Sequence, residues 1–495
     1  MKFKAFTLLL LCGVLFALTS CSGVKTVCTT NCGGGGNATL NLTLSDTPPT
    51  GVNIVSFTLP IVGISLTPST GSPVSVFSTG NFELTHLQSD SAPIAVGVSV
   101  PAGSYTSINV TLGTSSGIFV NASGSTITYG TNTCVANAVC ALPGGAATTI
   151  SIPVTLSLTA NQVHWVGLDV NLNNAITSSN GISIDFTQTG VMSVLTTPRT
   201  NIPSGDVDSI DDFTGLVTAY AKGSSITVKS GTRGTMVATI TSTTTFDDPQ
   251  SLCSGSPSVA DCISASTATP FVVSVQAYLT NTGAINVSEV DVIDSSTTAT
   301  DQVEGFIYPT STSSCSGGFG LLLFDDAVTT GNSTLTGLTY GAGFCLTISP
   351  TAVFLVDTGL LNNALPTAGA SQAGFQSPND IAVGQMVRVH VSNVTAGTLV
   401  GATVNSVLLR YSRISGTVNA VSGQNFSING APAYLGFTLP PVVATFINGT
   451  IFEGATDISG LSSPTARPVA IRALYFPKTS PVSSASFIAA KVRAN

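Results

Sequence analysis

Charge is what this chain most lacks. Charged residues fill 8% of its 495 positions, against roughly 25% in an ordinary soluble domain, so hydroxyls and amides are expected to carry its surface. The 15 Lys and Arg residues form no cluster and the net charge is -8. Nucleic acid, which needs a positive stripe to displace counterions, is therefore excluded as a partner. Histidine occurs 3 times and tryptophan once, which leaves little for general-base chemistry. With 9 tyrosines besides, no sugar-stacking platform is legible. Helix-forming Lys and Glu are sparse while Val, Thr, Ser, Gly and Asn abound, so an all-β protein is expected. Zinc-protease, phosphate-loop and dinucleotide strings are absent. Past residue 20 no apolar run is long enough for a spanning helix.

What is present begins with Lys2 and Lys4, then an apolar run from Ala5 to Leu18 that is too short to span a bilayer. Leu18-Thr19-Ser20-Cys21 follows. Residues 1–20 with this tetrad resemble a bacterial lipoprotein signal peptide and its lipobox. The resemblance implies cleavage before Cys21, a diacylglycerol on its thiol and an acylated new amino terminus. More than one chain anchors stably, since each buried methylene contributes about 0.8 kcal/mol. Ser22 in place of Asp favours the outer membrane, with the protein facing the periplasm or the cell surface. The competing reading is a plain secretory signal that happens to end at a cysteine.

Cys12 would leave with the signal. The remaining cysteines fall in close pairs: Cys28 and Cys32, Cys134 and Cys140, Cys253 and Cys262, Cys315 and Cys345. In an exported chain disulfides are the default, and local pairing is the simplest connectivity. A structural zinc would need four converging ligands, whereas Cys28 and Cys32 stand apart from His86, His164 and His390.

Residues 21–37 read as a tether, ending in the glycine run Gly33–Gly36. Over 38–198 the pattern has a period of two. Leu40, Leu42 and Leu44 alternate with polar residues up to Ser45-Asp46-Thr47-Pro48-Pro49, a turn in which Asp46 would accept backbone hydrogen bonds. Pro101-Ala102-Gly103-Ser104-Tyr105 launches another strand through Ile108-Asn109-Val110, and a late strand holds Trp165-Val166-Gly167-Leu168-Asp169-Val170. These segments, in this order, resemble the bacterial lipoprotein family known as domain of unknown function forty-three eighty-two. The resemblance implies an antiparallel β-sandwich of transthyretin or carboxypeptidase-regulatory type, with no assigned catalytic residues.

Pro203, Gly205, Asp206, Asp208, Asp211 and Asp212 mark 199–212 as an acidic linker. Beyond it three repeats are expected, at 213–300, 301–411 and 412–495, each a small β-barrel or β-sandwich. They open alike, at Gly215-Leu216-Val217, Gly305-Phe306-Ile307 and Gly416-Thr417-Val418, and each closes on a hairpin. Openings and hairpins resemble a second uncharacterised family, domain of unknown function fifty-six sixty-six, thought to be a small barrel.

Candidate chemistry is thin. Gly113-Thr114-Ser115-Ser116-Gly117 matches the nucleophile-elbow string, but the motif works only at a strand-to-helix turn, and the residues that follow read as hairpin. His164 beside Trp165 reads as a packed ring, and neither His86 nor His390 has a recognised partner set nearby. Asp206, Asp208, Asp211 and Asp212 are calcium candidates at a hinge, weighed against a solvated acidic linker. Asp247 with Asp248, and Asp325 with Asp326, read as turn residues. The functional expectation is a lipid-anchored, non-enzymatic protein that binds a glycan or protein ligand, or adheres. The alternatives are a structural spacer in an envelope assembly and a hydrolase acting through Ser115.

Overall fold

The computed structural model describes residues 36–48, 53–129, 131–142, 144–177, 182–265, 270–295, 301–309, 315, 317–324, 331–338, 340–361, 374–462, 467–477, 480 and 485–495. The expected signal, Cys21, Cys28, Cys32, most of the tether and the pair at 325–326 lie outside the described residues.

The chain is nearly all strand. Residues 37–195 form a sandwich of two sheets. One contains Asn37–Thr47 between Val163–Asn171 and Ala92–Pro101, and the other is centred on Ile54–Pro68 and Gly103–Leu112. It is not purely antiparallel: Asn37–Thr47 runs parallel to Val163–Asn171, pairing Leu42 with Val166 and Leu44 with Leu168. Leu40, Leu42 and Leu44 face the other sheet and are buried against residues such as Phe57, Ile108 and Val110. The polar alternates Asn41, Thr43 and Ser45 are buried as well. That face lies under the first barrel, where the Thr43 hydroxyl donates to Asp208 at 2.6 Å.

Three five-stranded barrels follow. The first comprises Asp206–Ala221, Ser225–Ser230, Gly234–Asp247, Phe271–Thr280 and Ile285–Ser295. The second comprises Asp301–Tyr308, Phe319–Leu323, Gly343–Val356, Met386–Thr395 and Val400–Arg410. The third comprises Ser412–Ser422, Asn425–Asn429, Val442–Ala444, Pro468–Tyr475 and Phe487–Ala494, with Ile451–Glu453 added beside the last strand. Around each barrel the order is first, second, third, fifth, fourth and back to first. The third and fifth strands are parallel in every case. This is the connectivity of a five-stranded Greek-key barrel of OB type.

One glycine per repeat explains the shared openings. A Cβ on Gly215 would lie 2.3 Å from the Lys229 carbonyl oxygen, one on Gly305 2.2 Å from that of Leu322, and one on Gly416 2.5 Å from that of Asn429. At this point the first strand bends against the second so closely that no side chain fits.

The linker reading of 199–212 is corrected from residue 206 onward. Asp206 begins a 16-residue strand that pairs with Phe271–Thr280, and the register slips between Ile210 and Phe213. Asp212 there has φ +46°. A bulge of this kind breaks the alternation, and the adjacent Asp211 and Asp212 are both buried. Asp46 is corrected too: it lies within Asn37–Thr47, 1% exposed, not in a turn. Asp248 does hold a turn, accepting from the Leu252 and Cys253 amides at 2.9 and 2.6 Å, whereas Asp247 ends a strand. Cys134–Cys140, Cys253–Cys262 and Cys315–Cys345 are disulfides.

The four units pack on one another. Trp165 of the sandwich joins the core of the first barrel. Val55 and Val120 of the sandwich meet Phe306, Leu322 and Phe324 of the second. Leu474 and Ile488 of the third barrel enter the core cluster of the second.

Candidate functional site

The few charges are concentrated where the four units meet. Arg233, Arg388, Arg410, Arg472, Lys491 and Arg493 are all 3% exposed or less. The strand order explains why. The fourth and fifth strands of the third barrel place Arg472, Lys491 and Arg493 on its outer face, alternating with core residues Ile471, Ala473, Val492 and Ala494. The first strand of the first barrel brings Asp208, Asp211 and Asp212, and a buried segment of the sandwich, Leu84–Ser91, inserts Asp90.

Lys491 bonds Asp211, and lies 2.8 Å from Glu453 and 3.7 Å from Asp90. Arg493 reaches Glu453 at 2.9 Å and donates to the Asp90 backbone carbonyl at 2.6 Å. Asp212 accepts from Arg410 at 3.2 Å and Arg413 at 2.8 Å. Arg410 also bonds Asp357 and lies 3.3 Å from Glu304. Arg388 and His390 of the second barrel hold Asp294 of the first at 3.0 and 2.7 Å.

Burial pushes Asp212 up, but Arg410, Arg413, Arg472 and Arg233 outweigh it and hold the carboxyl far below the usual range. Glu453 behaves likewise: burial raises it, and Arg493, Lys491 and Arg199 together depress it well below its ordinary value. Asp208 stays raised, because its burial exceeds the help from Arg199. Asp206, only partly buried, is raised by that burial. Asp208, Asp211 and Asp212 therefore come together as expected of a cluster, yet as partners of arginine and lysine. Asp211 and Asp212 are buried and ion-paired, not solvated as a linker would be.

Beside this hub lies a cleft of about 420 Å³ at the junction of the sandwich and the third barrel. Thr47, Asp169, Ser193, Arg199, Thr200 and Arg467 are among the residues that line it. Arg199 is fixed from behind: it donates to Ser45 at 3.0 Å and lies 3.5 Å from Glu453 and 3.7 Å from Asp169. Asp169 accepts from the Ser45 and Thr47 hydroxyls, each at 2.7 Å. Arg467 donates to the Gly454 carbonyl at 2.8 Å. Such a cleft offers donors and acceptors to a polar ligand beside an apolar wall that includes Leu195, Pro198 and Ala494. Neither arginine carries a motif, so only the three-dimensional junction identifies them.

The histidines are dispersed. His86 is buried, stacks on Phe324 at 4.1 Å between centroids and meets its carbonyl at 3.2 Å. Burial, then Arg413 and Arg233, push its pKa well below the ordinary imidazole value. His164 accepts from the Thr159 amide at 2.9 Å, while Trp165 beside it donates to Thr43 at 3.1 Å. Ser115 is buried and accepts from the Gly145 amide at 3.0 Å, and the strand Ser116–Val120 follows it where the elbow motif needs a helix. No helix among the described residues is long and apolar enough to cross a membrane.

Residues 37–185 match the model of a family described as Domain of unknown function (DUF4382). The match falls within the sandwich. No curated protein matches the chain.

Proposed function

We propose that the chain is a lipid-anchored protein of the cell envelope, tethered through Cys21 to the outer membrane and facing the periplasm or the cell surface. Its work is non-catalytic binding of a hydroxyl-rich or amide-rich ligand, a glycan or a segment of a partner protein. The observation that carries this reading is the cleft holding Asp169, Arg199, Thr200 and Arg467. One carboxylate and two guanidiniums, held by surrounding groups, form a short array of donors and acceptors suited to neutral polar groups. The non-catalytic reading is supported by the engagement of His86, His164 and His390 with three different partners. The three barrels are read as units of the second, fifty-six sixty-six family.

A glycan array and a pull-down from envelope extract, each run with the wild type and Arg467→Ala, test the proposal. Binding that falls about tenfold in the variant, roughly 1.4 kcal/mol, supports it. Binding that ignores the variant places the ligand elsewhere. Mass spectrometry of the mature N-terminus tests the anchor separately: an unmodified thiol at residue 21 would remove it.

A spacer role is the second reading, and the buried charge hub favours it. Interlocked units keep a fixed length and orientation, which a scaffold needs and a glycan binder does not. A stoichiometric partner with no glycan signal would select this reading.

A further inference from the structure

A second group of carboxylates lies where the first and second barrels touch, joined to Asp212 through Arg410. Asp291, 2% exposed, and Glu289 point from the last strand of the first barrel, and Asp247 is the register partner of Asp291 on the neighbouring parallel strand. Asp357, 1% exposed, arrives from the second barrel just after its third strand. Apolar contacts at the same interface put Val272 and Ile293 with Leu408 and Leu355.

Two features mark this cluster, in which Glu289 and Asp291 also share a side-chain hydrogen bond. Asp291 Oδ1 and Asp357 Oδ1 are buried and make no hydrogen bond. The other oxygen of Asp357 faces Arg410, which is shared with Glu304 and Asp212. In addition, the two carboxylates converge on one place: Asp291 Oδ2 and Asp357 Oδ1 lie 3.0 and 3.3 Å from the point above Gly359 where a Cβ would sit. Gly359 thus leaves room between them, and a carboxylate from each barrel borders that room.

We propose that a hard divalent cation of the calcium class binds between Asp291 and Asp357 above Gly359 and ties the first barrel to the second. Asp291 and Asp357 supply oxygen ligands, Glu289 and Asp247 add negative charge on the more open side, and water completes the shell. Calcium tolerates such irregular oxygen sets, and magnesium keeps much of its own water. No three metal-ligating side chains among the described residues make a ready cage, so the affinity expected is modest. The cation neutralises carboxylates that would otherwise repel across a buried interface.

The test uses the purified full chain, stripped with chelator and dialysed against calcium chloride at pH 7.5, with bound metal measured by elemental analysis and the melting midpoint by calorimetry. The expected result is about one calcium per chain and a midpoint raised by about 2 to 4 °C at saturating calcium. Asp291→Asn should lose the bound calcium and its shift, yet melt no lower than the stripped wild type, because it removes a repelling charge. Gly359→Ala keeps every carboxylate and fills the space between them, and it should weaken binding at least tenfold. No calcium on the wild type, an equal shift with sodium at matched ionic strength, or undiminished binding by both variants would each overturn the proposal.

Discussion

Arg493, in the last strand of the chain, donates to the backbone carbonyl of Asp90 at 2.6 Å across 403 residues of sequence. Both residues are fully buried. The first unit and the last are thereby closed on each other, with the first two barrels gathered around the contact through Asp211, Asp212 and Arg410.

Breaking one member of this hub should be costly. Glu453→Gln leaves Lys491 and Arg493 without their shared carboxylate, and an uncompensated buried charge costs about 3 to 5 kcal/mol. Urea denaturation should show an unfolding free energy lower by that amount. Lys222→Ala, which removes an exposed pair with Asp261, should change stability by less than about 1 kcal/mol.

The pH dependence has a definite sign. Asp212 and Glu453 are depressed in the folded state by their arginine and lysine neighbours, against the opposing effect of burial. Their contribution is present above the unfolded-state values of about 4 and is lost as pH falls below them toward the folded values. Stability should therefore drop on acidification below about pH 4. In Asp212→Asn that acid limb should be shallower, from a lower starting stability at pH 7.

Asp46 predicts the opposite. Burial, and next the Asp169 carboxylate, push its pKa well above the ordinary value. A raised carboxyl favours the folded state most below the unfolded value, and stability is lost as pH rises through the folded value. Asp46→Asn should be neutral near pH 4 and raise the midpoint relative to wild type as pH rises. A variant less stable at pH 8 than at pH 4, relative to wild type, contradicts this.

Gly305→Ala tests the barrel geometry. Its methyl would lie 2.2 Å from the Leu322 carbonyl oxygen, an overlap expected to cost about 1 to 3 kcal/mol or more. The same change at Gly223, where nothing lies within 4 Å but φ is +67°, should cost about 1 kcal/mol. Chemical denaturation ranks the two.

Much of this architecture is legible along the chain because its causes are local. Leu40, Leu42 and Leu44 alternate, Gly215, Gly305 and Gly416 recur, and the three bonded cysteine pairs are near neighbours in sequence. What is not legible depends on distant partners. Thr43 and Ser45 look like a solvent face but lie under the first barrel. Asp211 and Asp212 look like a linker because Pro203 and Gly205 precede them, and their bulge breaks the period that would mark a strand. Their cations stand about 200 residues or more further on, so no motif joins them. The cleft at Arg199 and Arg467 is assembled the same way.

Scanning calorimetry of the full chain at pH 7 tests most directly whether the buried charges bind four β-units into one body. One transition is predicted, with equal calorimetric and van't Hoff enthalpies, splitting into separate transitions in Glu453→Gln. Several independent transitions in the wild type, or a single unchanged one in the variant, would contradict it.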